Sequence, residues 1–238
     1  MNREFSLSKK SETEWISISD LMAGLMMIFL FIAISYMNSL QIRANQVKKI
    51  AVAYQELQNN LYQELYEEFK NDLPKWNAEI IRETLSVKFH EPDVLFDIGS
   101  SEVTKRFQEI LQEFFPRYLK IMSLKEYKDN IEEIRIEGHT SSEWRIETDE
   151  ETAYFNNMQL SQDRTRSVLE YCLGLVEKGE VKEWARKYIT ANGLSSSRLI
   201  TTESGMEDKK KSRRVEFRSK TAAEKKVVEI IEEMKEVL

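Results

Sequence analysis

The chain has 238 residues, with 35 Lys and Arg against 41 Asp and Glu and a net charge of -6. That acidic balance speaks against a nucleic-acid partner, which requires a basic face. The lone cysteine, Cys172, rules out an internal disulfide, and 7 Gly with 3 Pro leave few turn formers.

A mean hydropathy of -0.51 describes a water-soluble body, apart from one stretch, Trp15 to Met37. No side chain from Leu21 to Ile34 is polar, and Ile16 to Met37 is 22 residues. As a helix this is roughly 33 Å long, enough to cross a hydrocarbon core of about 30 Å. One acid, Asp20, stands at its amino-terminal side, followed at helical spacing by Ala23 and Gly24. A carboxylate in lipid costs about 2.5–3.5 kcal/mol on insertion scales, so such a residue faces protein or water and has a task. Asp20 is therefore a candidate proton or cation carrier. The alternative is that Ser19 or Asp20 caps a helix beginning at Leu21. Small residues one turn later favour close approach of a second helix, which would shield the acid from lipid.

Lys9 and Lys10 before the apolar run, with Ala33-Ile34-Ser35 within it, raise the possibility of a cleaved signal. The acid and the continuation through Tyr36 and Met37 favour a retained membrane helix. Basic residues flank it equally, with Arg3, Lys9 and Lys10 before and Arg43, Lys48 and Lys49 after, so the positive-inside rule returns a tie.

A helical stalk follows. Val47, Ile50, Tyr54, Leu57 and Leu61 recur at spacings of three and four, continued by Leu65 and Phe69. The pattern predicts a short self-associating seam, the alternative being an amphipathic helix lying on its own domain. Pro74 ends it. The chain then divides into a tail (1–14), a transmembrane helix (15–38), a stalk or linker (39–82), a folded domain (83–220) and a closing amphipathic helix (221–238).

Within the domain, alternation predicts strands over Leu85–His90 and Asp93–Asp97. A helix from Val103 to Met122 follows, kinked or broken at Pro116. Next come a strand from Ile131 to Glu137 ending in Gly138-His139-Thr140, a polar insertion from Ser141 to Thr152, and a helix from Met158 to Glu177. A short helix over Lys182–Ala191 and strands over Arg198–Thr202 and Arg213–Arg218 complete an α/β or α+β domain. The end of the Ile131 strand beside a helix start carrying Asn157, Ser161 and Arg164 makes a polar rim suited to an anionic group.

Gly138-His139-Thr140, then Asn157-x-x-Leu160-Ser161-x-x-Arg164, then Arg213-Arg214-Val215-Glu216-Phe217 resemble the three signatures of the OmpA-like peptidoglycan-binding domain, over about Ser86 to Lys220. The resemblance implies that Arg164 holds a carboxylate of the stem peptide's diamino acid, with Thr140, Ser141, Tyr154, Asn156, Asn157 and Leu160 shaping the site. The bland reading of Arg164 is a surface arginine paired with Asp163 or Glu170. The chain departs from the family in having Ser141 where an aspartate usually meets the ligand's ammonium group, and Ser212 where asparagine is common. Glu143, Glu147, Asp149, Glu150 and Glu151 of the insertion either return an acid to the site or form a solvated loop.

His90 and His139 are isolated in sequence and lack metal-ligand spacing. No nucleophile elbow or phosphate loop is present. No metal, no cofactor and no enzymatic activity are expected.

The amino-terminal segment resembles the membrane helix of the B subunits of ion-driven stator motors, such as flagellar MotB. In that family the acid at the Asp20 position carries the ion, a stalk follows, and an OmpA-like domain grips the wall. The resemblance implies a single-pass protein of the bacterial inner membrane, amino terminus in the cytoplasm and domain in the periplasm. It also implies a homodimer paired through Ala23, Gly24 and Met27, within a ring, pentameric in the family, of multi-pass A subunits. Flagellar B subunits usually have Ala-Tyr-Ala before the acid, where this chain has Ser17-Ile18-Ser19. Gly138 to Trp144 and the acidic insertion look more like the B subunits of Zorya anti-phage systems. A passive tether from membrane to wall is the rival reading.

Overall fold

The computed structural model describes residues 2–90, 92–144 and 148–222. The chain divides into two compact units, one holding the residues up to Val52 and the other beginning at Ala53. Helix α1 is Asn2–Phe69. It contains the single stretch, among the described residues, long and apolar enough to cross a membrane. The side chains from Ile18 to Asn38 are all exposed on the single chain, an apolar surface of a size that calls for lipid or partner helices.

In the second unit a five-stranded sheet has the order β1-β2-β5-β3-β4. Strands β1 (Ala78–Ile81) and β2 (Ser86–Phe89) form an antiparallel hairpin. Strand β5 (Arg214–Thr221) runs antiparallel between β2 and β3 (Ile131–His139). Strand β4 (Ile189–Gly193) lies parallel to β3. The crossover between them is α5 (Glu150–Gly174) and α6 (Glu180–Tyr188), as a parallel pair requires. Short helices α2 (Pro92–Leu95), α4 (Lys125–Lys128) and α7 (Lys209–Ser212) join the larger elements.

The core gathers around α3 (Lys105–Met122). Its Phe114 ring lies 5.1 Å from both Phe89 of β2 and Phe217 of β5, and 5.2 Å from Phe69 of α1. Leu61, Leu65 and Phe69 are buried in this same cluster. The expected self-associating seam is therefore corrected over these residues, because burial of three large apolar side chains in the core outweighs anything gained on an exposed stripe.

Other expectations also change. Asp93–Asp97 is not a strand: Pro92–Leu95 is one helical turn, and only Phe96 bridges, to Val103. Pro116 does not end α3, which continues from Lys105 to Met122. It costs one hydrogen bond, to the carbonyl of Gln112, a residue on the exposed face, while Phe114, Phe115, Tyr118 and Leu119 hold the helix to the core. Helix α5 starts eight residues earlier than expected, because Asp149 caps it by accepting from the Thr152 N–H at 2.9 Å and Glu150 and Glu151 favour its positive end. Strand β4 occupies the tail of the helix expected over Lys182–Ala191, and β1 falls in the expected linker. Arg198–Thr202 is irregular apart from a bridge between Thr201 and Glu207. The expected closing helix lies outside the described residues from 223 onward.

Candidate functional site

Two glycines bring the sheet against α5. A Cβ on Gly138 would sit 2.9 Å from the Ser161 carbonyl oxygen and 2.7 Å from Thr165 Cγ2, and one on Gly193 would collide with the backbone of Gln162. Only glycine allows such approach. Asn157, Ser161 and Thr165 then form a buried polar stripe at helical spacing along α5. The Ser195 N–H donates to Ser161 Oγ at 3.1 Å, and the Thr140 N–H to the Ser195 carbonyl at 2.9 Å. Asn157 Nδ2 donates to the carbonyls of Ser141 at 3.2 Å and Glu143 at 3.0 Å, fixing the start of the insertion to the helix.

These contacts shape a cleft of about 360 Å³ at the carboxyl end of β3. Of the residues expected at the site, Thr140, Ser141, Asn157, Leu160 and Arg164 line it. Tyr154 and Asn156 do not. Tyr154 accepts a hydrogen bond at its carbonyl from Ser195 Oγ at 2.7 Å and packs its ring edge-on to Phe155. Phe96, Ile98, Gly99, Trp144 and Arg213 also line the cleft. The third signature contains Arg213, but nothing local marks it as a lining residue.

Arg164 is anchored in the wall. Its Nε donates to the Ser100 carbonyl at 2.8 Å and Nη2 to the Asp97 carbonyl at 3.2 Å, with the guanidinium 4.7 Å above the Phe96 ring. It thereby ties the loop before α3 to α5. Of the insertion acids, Glu143 reaches the cleft, where it pairs with Lys209, and Asp149 caps α5. Glu147 lies outside the described residues. The Ser142 N–H donates to Glu207 at 3.0 Å.

Beneath the cleft lies a charged cluster that the sequence did not disclose. The β3–β5 register pairs Glu137 with Glu216 and His139 with Arg214. His139 Nε2 is 3.6 Å from Glu137 Oε2 and 3.7 Å from Glu216 Oε1, three ligand-type atoms within 4.8 Å of one another. Arg214 Nε lies 2.6 Å from Glu216 Oε1, and Arg198 and Arg218 come within 3.5 and 3.9 Å of Glu137. The arginines supply the positive charge that a cation would bring. Burial pushes the His139 imidazole below its ordinary range, with Arg214 reinforcing and Glu137 and Glu216 opposing. Burial alone would raise Glu137, but His139, Arg218 and Arg198 together hold it low.

In the first unit, Asp20 lies inside α1 with helix on both sides. Ser19 Oγ donates back to the Trp15 carbonyl at 2.9 Å, the pattern of a serine within a helix. The expectation that Ser19 or Asp20 caps a helix starting at Leu21 is corrected: the residues before it already donate to the ladder. Ala23, Gly24 and Met27 are exposed on the single chain, and nothing lies within 4 Å of a Cβ built on Gly24.

A mixed sheet with the crossover α5 and this cleft define an OmpA-like domain, and residues 95–223 match the OmpA family. The chain is 47% identical over 229 residues, 95% of its length and 97% of the relative's, to Zorya protein ZorB of Escherichia coli strain Crooks. It belongs to the OmpA family and, within it, to the ZorB family. Among solved structures, a MotB-like protein from Desulfovibrio vulgaris is similar with a TM-score of 0.50 and 19% identity, covering 74% of this chain and 95% of that one. The periplasmic domain of Helicobacter pylori MotB is similar with a TM-score of 0.44 and 16% identity, covering 66% and 89%.

Proposed function

We propose that this chain is the B subunit of a proton-driven, stator-type motor of the inner membrane, anchored to peptidoglycan and acting in anti-phage defence. The observation that carries the motor is Asp20, an acid within a continuous apolar helix that has no cap for it to make. The OmpA fold and the cleft at the end of β3 support the anchor. The identity to ZorB along nearly the whole chain supports defence over flagellar rotation.

In this reading the amino terminus is cytoplasmic and the domain periplasmic. Two copies pair through Ala23, Gly24 and Met27 and present two Asp20 side chains to a surrounding ring of five multi-pass A subunits. Protonation neutralises the carboxylate and lets it pass an apolar barrier; loss of the proton on the far side restores a charge that must find a partner. A membrane potential supplies about 2.3 kcal/mol per charge per 100 mV. Repeated, the cycle turns the ring about a dimer that the wall holds still. The chain itself performs no covalent chemistry.

The test is Asp20→Asn, which keeps shape and hydrogen bonding but does not titrate. The variant, expressed with its neighbouring genes, should assemble normally and lose protection in a phage challenge. Full protection by an assembled Asp20→Asn complex would leave a passive tether. Restored swimming of a stator-deficient strain, with no effect on phage, would favour the flagellar role.

A further inference from the structure

A second cavity, of about 300 Å³, shares no lining residue with the cleft. Its charged lining is Arg135 of β3, Arg218 and Lys220 of β5, Arg198 of the turn after β4, and one acid, the exposed Glu83 of the β1–β2 turn. Ile134, Ile136 and Phe217 are buried in the core, so alternation along each strand turns Arg135 and Arg218 to the opposite face of the sheet. The β3–β5 register makes these two arginines direct cross-strand partners, and like charges so placed destabilise a sheet.

Neighbouring carboxylates answer the three guanidiniums only in part. Arg135 donates to Glu133 through Nε at 2.6 Å. Arg198 and Arg218 share one oxygen, Glu137 Oε2, at 3.5 and 3.9 Å, and among the described residues that oxygen accepts no hydrogen bond. One carboxylate thus gathers two guanidiniums side by side and leaves their N–H donors open. The three arginine side chains are 37%, 49% and 35% exposed, so an incoming group can reach them.

We propose that Arg135, Arg198 and Arg218 form a binding site for a phosphate group, carried by a soluble phosphate monoester or by a lipid headgroup. The two oxygens of a carboxylate are met by a single guanidinium fork, whereas a tetrahedral phosphate dianion presents oxygens in several directions and accepts from guanidiniums that converge from separate elements. Lys220, paired with Glu132 at 3.3 Å, adds a point charge to the lining. Glu133 and Glu137 hold the arginines from outside it. A bound dianion offsets the repulsion between the cross-strand arginines.

The test uses the full chain in a neutral maltoside detergent, titrated calorimetrically at constant ionic strength with inorganic phosphate, acetate or dihexanoyl phosphatidic acid, a short-chain lipid with a phosphomonoester headgroup. Phosphate should bind saturably, one per chain, and acetate about tenfold more weakly. Arg135→Gln should weaken phosphate binding by about tenfold or more, as expected for loss of charge-assisted hydrogen bonds, and Arg135→Lys should recover part. Lys88→Gln removes the same charge from the same sheet face outside the cavity and should leave affinity unchanged. A lipid source gives tighter binding of phosphatidic acid than of inorganic phosphate, with the same loss in Arg135→Gln; a soluble source gives no gain from the acyl chains.

An unsubstituted chain that binds neither phosphate nor phosphatidic acid saturably overturns the proposal, as does acetate binding as tightly as phosphate. An Arg135→Gln chain with an unchanged thermal transition and unchanged affinity overturns it too. So does a Lys88→Gln chain weakened as much as Arg135→Gln, because diffuse charge then accounts for the binding. If Arg135→Gln does not fold, Arg198→Gln decides in the same way.

Discussion

Arg214 donates from Nε to Glu216 Oε1 across 2.6 Å, with both side chains about 6% exposed. The pair makes the floor on which His139 sits, and it keeps a positive charge close to an imidazole that is already desolvated. His139 therefore stays neutral in the fold and gains a proton more easily when unfolded, near its ordinary value of 6.5. The unfolded chain binds more protons as pH falls below that value, so stability is full above it and declines towards the lower folded value. Thermal transitions of the full chain at pH 7.5, 6.5 and 5.5 should fall across this window. His139→Gln should flatten the dependence there, leaving the decline at lower pH, where Glu137 and Asp72, both held low in the fold, are protonated.

Asn157 has a different role, since both of its donated bonds go to carbonyls of the insertion. Asn157→Ala strands one buried acceptor, the Ser141 carbonyl, and one part-buried acceptor, the Glu143 carbonyl, which costs about 1–3 kcal/mol. It should also weaken sedimentation with sacculi more than its lowered melting temperature explains. Asn157→Asp should do worse than Ala, because a carboxylate there would face two carbonyl oxygens.

The site was legible in part because its signatures are short and local. The Gly138-His139-Thr140 strand end and the α5 positions 157, 160 and 164 face one another by simple periodicity. Arg213 and Phe96 reach the cleft only through the order of strands and the loop before α3, which no local spacing encodes. The His139 cluster is hidden for the same reason: Glu137 and Glu216 are 79 positions apart in sequence, and only the register joins them. The early start of α5 was visible, since an aspartate followed by two glutamates is a helix start, but the acidic run reads equally as a solvated loop. Strand β4 was lost because Trp184, Ala185 and Ile189 continue a helical stripe across the strand's first residue.

Arg117 clasps α1 to α3. Its Nε is 2.6 Å from Glu68 Oε1, Nη1 is 2.9 Å from Asp72 Oδ2, Nη2 donates to the Glu68 carbonyl at 2.7 Å, and the guanidinium lies 4.8 Å from the Phe69 ring centre. Its side chain is 36% exposed, so solvent screens the ion pairs and the packing over Phe69 matters comparably. Arg117→Ala should cost about 1–2 kcal/mol. Arg117→Lys should recover little, because an ammonium cannot span three acceptors. Protease sensitivity near Glu68 should rise in both, and an undisturbed cleavage pattern would assign the clasp no stabilising role.

Leu65 separates the two readings of the stalk. It is fully buried among Phe69, Leu61 and the α3 aromatics of its own unit, so Leu65→Ala removes core volume and should cost about 2–5 kcal/mol. That loss should be the same at every protein concentration, because the contacts lie within one chain. If Leu65 instead formed a seam between copies, the melting temperature of the unsubstituted chain would rise with concentration and Leu65→Ala would abolish the rise. Melting curves over a hundredfold dilution series of both chains decide between them, and the core placement requires parallel, concentration-independent curves separated by the cost of the cavity.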